Sequence, residues 1–120
     1  EMDRSISLLE RIVNQNSGTR NIEGNQAVMA MLRPEFEALG FTVEIIDQSA
    51  VDRAGHFFAR HEGDPANRRI LLIGHTDTVF EPDSAFQTFT RDGDHATGPG
   101  IVDDKGGVIV IIAALRAMHE

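Results

Sequence analysis

Residues 69–74 read RILLIG, and residues 74–79 continue as GHTDTV. Four apolar residues in a row, without polar alternation, predict a strand covered on both faces. Such a strand belongs at the centre of a sheet. The first residues able to do chemistry, His75 and Asp77, follow where that strand ends, which is where open α/β sheets place their sites.

The flanking sequence supplies the layers that such a strand needs. From Ser5 onward, Ile6, Leu9, Ile12 and Val13 recur at helical spacing, and the polar residues 14–18 end that helix. Ala27, Val28, Met31, Leu32, Phe36 and Leu39 carry a second helix, with Gly40 placed to terminate it in a left-handed conformation and Pro34 expected to kink it or delay its start. Residues 41–47 alternate and are rich in β-branched side chains, and residues 57–60 read as a second strand after a connection over 50–55. Within 89–97, Asp92-Gly93 is a two-residue hairpin turn between short strands. Residues 98–107, GPGIVDDKGG, form a glycine-rich loop. Residues 108–118 follow, apolar almost all round, and read as a buried helix, although their β-branched start also suits a strand. Helices and strands in this order predict an α/β fold, a layered sheet with helices on both faces, over a single domain spanning 1–120. Phe57, Phe58, Phe86 and Phe89 are expected to fill the core or cover the hairpin.

Composition narrows the function. The chain has 120 residues, 41% of them hydrophobic, and 19 acidic against 11 basic residues leave a net charge of −8. That balance argues against an electrostatic grip on nucleic acid or anionic lipid. The apolar run at 108–115 is too short to span a bilayer, and no leader pattern opens the chain, so compartment is left undecided. The absence of cysteine excludes disulfides, thiol catalysis and thiolate metal sites, so any metal would need His, Asp or Glu. The sequence begins at Glu1 rather than Met and reaches Glu120 inside a helical pattern, and a segment of a longer chain is the expectation.

In extended backbone, residues 75 and 77 project from one face. That spacing makes a ligand and its orienter: one imidazole nitrogen of His75 can bind a metal while the other donates its proton to Asp77. The plainer reading is a histidine hydrogen-bonded at a strand end, with Asp77 capping a turn. In the glycine-rich loop, Asp103 or Asp104 could cap the following helix, worth about 0.3–1 kcal/mol against its dipole. A phosphate-cradling loop fails, because Lys105 precedes Gly106 rather than Ser or Thr and two carboxylates would repel the anion. Two neighbouring aspartates near a histidine suit a doubly charged cation, which one carboxylate can bridge to a second. His56, His61, His95 and His119, and the acids Glu62, Asp64, Asp83, Asp92 and Asp94, read as solvated groups.

GHTDTV, about twenty residues of hairpin, then GPGIVDDKGG and an apolar helix together resemble the dinuclear zinc aminoacylase and carboxypeptidase family, most closely its glutamate carboxypeptidase branch. The resemblance covers nearly the whole chain. It implies a zinc-dependent metallohydrolase that cleaves an amide bond and releases a C-terminal amino acid, with glutamate the candidate. His75 would ligate one zinc ion, Asp77 would orient its ring as the catalytic-site carboxylate, and Asp103, the acid two before Lys105, would bridge two zinc ions. The peptide bond after Asp103 would be cis, and Gly98, Gly100, Gly106 and Gly107 would serve a tight backbone path.

The family completes its site with a glutamate general base, further acidic ligands and a late histidine, all beyond residue 120, and inserts a smaller domain used in dimerisation. The chain is therefore expected to be the N-terminal portion of a catalytic domain, inactive alone, acting at full length on a peptide or N-acyl amino acid and there forming a homodimer. Two other readings stand beside this one: an N-acyl amino acid deacetylase or desuccinylase of the same family, against which Pro99 between the loop glycines leans, and a non-catalytic module that keeps the fold without metal.

Overall fold

The computed structural model describes residues 1–119; Glu120, where the helical pattern was expected to continue, lies outside the described residues. The order of elements is helix α1 (Met2–Asn14), helix α2 (Ile22–Glu37), strand β1 (Thr42–Gln48), a short helical turn (Ser49–Val51), strand β2 (Arg53–Arg60), strands β3 (Thr90–Asp92) and β4 (His95–Thr97), an irregular turn (Ile101–Lys105) and helix α3 (Gly106–His119). The chain is thus α/β, built from three helices and two small antiparallel sheets among the described residues.

The helices meet along their apolar stripes. Leu8 and Ile12 of α1, Val28, Leu32 and Phe36 of α2, and Val108, Ile109 and Ile112 of α3 make one buried cluster. Helix α2 starts at Asn21, whose side chain accepts a hydrogen bond from the Gly24 backbone N–H and so satisfies one of the unpaired donors of the first turn. Pro34 neither delays nor breaks the helix, which runs through it to Glu37. Gly40 (φ 82°) then takes the left-handed conformation expected of it, and the Phe41 N–H returns to the Phe36 carbonyl. At the other end of the bundle, the buried Arg116 guanidinium of α3 bonds to Glu1 and to Glu35 of α2.

Strands β1 and β2 pair with Val43 opposite Ala59 and Ile45 opposite Phe57. Their inner side chains, with Phe41, pack on the helical cluster, where Phe57 and Phe36 rings lie 5.3 Å apart. β2 begins at Arg53, so the connection between the strands is shorter than the sequence predicts. In the second hairpin Asp92 pairs with His95, which moves the turn one residue on, to Gly93 and Asp94. Phe89 is buried as expected, whereas Phe58 (49% exposed) and Phe86 (41% exposed) are not: Phe58 stands on the outer face of β2, and Phe86 packs only edge-on against Phe80.

The predicted sheet centre departs most from expectation. Residues 69–74 belong to no strand, and Ile70 and Ile73 are 81% and 80% exposed. A strand apolar on both faces needs neighbours along both edges. Here β1 pairs with β2 and β3 with β4, and none of these strands pairs with 69–74.

Candidate metal centre

The histidine-bearing segment reaches the site by running close to the start of α3. At Gly74 a Cβ would lie 3.1 Å from both the Asp104 carboxylate and the Val108 side chain. This approach sets residue 75 beside the glycine-rich loop. That loop is closed by hydrogen bonds from the Ile101 N–H to the Gly98 carbonyl and from the Lys105 N–H to the Gly100 carbonyl, with Gly100 at φ 79°. Asp103 and Asp104 leave helical backbone angles, and the peptide bond between them is cis, as the family resemblance implies.

The two aspartates separate in role at this point. Asp104 fills the space that a side chain at Gly107 would occupy, so its carboxylate is turned back toward the start of α3. Asp103 points out, its side chain 82% exposed, and its Oδ1 lies 2.9 Å from His75 Nε2. The opposite ring nitrogen, Nδ1, is 3.1 Å from the Asp77 carbonyl oxygen and 3.2 Å from Asp77 Oδ1. These three residues line the same shallow cleft, together with Thr19, Phe80 and Ile101. His56, His61, His95 and His119 lie exposed and away from that cleft.

An imidazole with oxygen at both nitrogens has a chemical demand. The neutral ring carries one proton, and if Nδ1 donates it to Asp77 the lone pair of Nε2 faces a carboxylate. Either a second proton or a cation must stand between them. Burial pulls the His75 pKa down, but the hydrogen bonds to Asp103 and to the Asp77 carbonyl, with the charges of both carboxylates, outweigh it and raise the value above the ordinary 6.5, which favours the second proton. A zinc ion would fit equally, since two donors each about 2 Å from one tetrahedral ion lie about 3.3 Å apart. The donor types suit zinc and provide two ligands, which at 2.9 Å stand closer together than that spacing and are hydrogen-bonded directly to each other. Among the described residues no group of three or more His, Asp or Glu side chains gathers for one ion.

Two further residues brace the site, and neither is visible in the sequence pattern. Residues 17–19 run alongside 76–78: the Thr78 N–H bonds to the Ser17 carbonyl, the Thr19 N–H to the Thr78 carbonyl, and the Ser17 hydroxyl to the Thr76 carbonyl at 2.7 Å. The Thr19 hydroxyl donates to Asp77 Oδ2 at 2.6 Å. From the other side Lys105, fully buried, donates to the carbonyls of Ile12 at 2.6 Å and Gln15 at 3.1 Å. The Ile12 carbonyl is one of the last four of α1, which have no partner inside the helix. Lys105 thus ties the metal loop to the end of α1, and burial lowers its pKa to about 8.

The sequence profile of Peptidase family M20/M25/M40 matches residues 71–120, which contain His75, Asp77 and Asp103. Over that stretch the chain is similar to this peptidase family. Carboxypeptidase G2 of Pseudomonas sp. (strain RS-16) is 36% identical over 121 residues, an alignment that takes in all of this chain and 29% of that protein. The chain therefore spans less than a third of the length of this relative. Among the described residues, no helix is long and apolar enough to cross a membrane.

Proposed function

We propose that the cleft between residues 75–77 and 103 is part of the zinc centre of a carboxypeptidase-type metallohydrolase, which in the full-length protein cleaves an amide bond and releases a C-terminal amino acid. The observation that carries this reading is the convergence of His75 Nε2 and Asp103 Oδ1 on one point while Asp77 holds the far side of the ring. A histidine that donates one N–H to an oxygen acceptor and offers the other nitrogen beside a carboxylate is arranged as metal ligands are. The similarity to a carboxypeptidase over the whole chain supports the reaction class; glutamate as the released residue rests on the resemblance of the motifs.

The roles follow from position. His75 binds one ion through Nε2, and Asp77 fixes its tautomer and ring plane. Asp103, with one oxygen toward His75 and a largely exposed carboxylate, would hold zinc with it and, as the family resemblance implies, would be shared with a second ion. The remaining ligands and the glutamate that accepts the proton of the attacking water lie outside residues 1–120 in this reading. Zinc, when bound, supplies a Lewis acid that polarises the scissile carbonyl and acidifies water. Asp103 and Asp77 add the negative charge that keeps doubly charged ions in a cleft open to a peptide or N-acyl amino acid.

The test is metal content and peptidase activity of the full-length protein with His75→Ala and Asp103→Asn, beside His56→Ala as a control. The expected result is loss of bound zinc and at least a thousandfold loss of kcat/KM in the first two, with the control unchanged, because removing a ligand abolishes ion binding rather than retuning it. Residues 1–120 alone are expected to show no turnover. Retention of zinc and activity in both variants would overturn this reading, and a wild-type protein without zinc or turnover would favour a module that keeps the fold without metal.

A further inference from the structure

We infer that Thr19 is a positioning residue for this centre, acting through Asp77 on His75; the inference rests on the proposed metal site. Asp77 has two oxygens and each is engaged. Oδ1 lies 3.2 Å from His75 Nδ1, and Oδ2 accepts the Thr19 hydroxyl at 2.6 Å. A carboxylate held at only one oxygen is free to rotate about its terminal bond. With the Asp77 carbonyl accepting the Nδ1 hydrogen bond at 3.1 Å, a carboxylate held by Thr19 keeps a fixed negative charge 3.2 Å from the same nitrogen, and so favours one tautomer and one direction of the lone pair on Nε2.

The backbone of Thr19 is itself registered against the segment it serves. Gly18 and Thr78 form a parallel bridge, the Thr19 N–H bonds to the Thr78 carbonyl at 3.0 Å, and the Thr78 N–H bonds to the Ser17 carbonyl at 2.9 Å. Asn25 of α2 donates to the Gly18 carbonyl at 2.8 Å and locks the segment from behind. The hydroxyl also lies 3.2 Å from the Thr78 carbonyl, but it has one proton, and the shorter contact to a charged acceptor takes it. A loop 58 residues away in sequence therefore sets the orientation of the group that orients the ligand.

Thr19→Val in the full-length protein removes the donor while keeping the shape of the side chain, and Thr19→Ser keeps the donor. Zinc affinity is measured by competition with a chelator, and kcat and KM are measured on the same preparations, with circular dichroism to verify folding. Thr19→Val is expected to weaken zinc about tenfold, the lower end of the effect of removing an outer-shell partner. It should also lower kcat with KM unchanged, and Thr19→Ser should recover at least most of both losses. Thr19→Ala, read in the same way, replaces Thr19→Val if the latter does not fold. Wild-type zinc affinity in Thr19→Val, alongside loss of zinc in His75→Ala, would overturn the role of Thr19 and leave the metal centre standing. Retention of zinc by His75→Ala would overturn the metal centre itself.

Discussion

The Lys105 ammonium sits out of reach of water, and two main-chain carbonyls at the end of α1 stand in for its hydration shell. Replacing it with methionine keeps the stem but strands both carbonyls. Lys105→Met is expected to lower stability by about 1–3 kcal/mol in a urea titration. The same group gives a pH signature. Its pKa is about 8 when folded, against an ordinary 10.5, so between those values the unfolded chain binds more protons than the folded one. The penalty for burying the charge is full below pH 8 and is relieved as pH rises toward 10.5, so this group makes stability increase with pH across that window. The increase should be absent in Lys105→Met. At this scale the sequence singled out His75, Asp77 and Asp103, which the structure brings together, because their spacing lies within two short motifs. It did not identify Thr19 or Lys105, whose partners are 58 and 93 positions away; nothing local in NSGT or DDKGG encodes those contacts.

Among the elements, the helices were the most legible, because a period of 3.6 is a local property and the core indeed lies along it. Their ends depend on single side chains. Asn21 caps α2 through the Gly24 N–H, and Asn21→Ala is expected to lower the melting midpoint by the equivalent of about 1 kcal/mol, measured by circular dichroism. The strands were legible where they alternate and pair with a sequence neighbour, as β1 does with β2. Residues 69–74 show the limit of that reading. Their apolar run specifies a strand that wants company on both edges, but the pattern says nothing about where those neighbours lie, and none of β1 to β4 pairs with this segment. Continuity of apolar residues thus encodes the demand for a sheet centre and leaves open its supply.

At the scale of the molecule, the fold is a device for closing distance. Three helices packed on one cluster hold α1 against the start of α3, so that the segment after α1 lies along 76–78 and the loop before α3 faces His75. The α/β class was legible from the order of elements, and the meeting of the two motifs was expected at a strand end, but it is reached without a strand at 69–74. The second layer of the site was not legible, because it arises from packing among all three helices. The same architecture explains why Ile70 to Ile73 stand exposed while His75 and Asp103 beside them are already paired: the pair hangs on α1 and α3 and not on the sheet.

The most direct measurement is anomalous diffraction at the zinc edge from crystals of the full-length protein. The account predicts a peak within about 2.0–2.2 Å of both His75 Nε2 and Asp103 Oδ1. Zinc bound elsewhere, with those two side chains still paired only to each other, would contradict it.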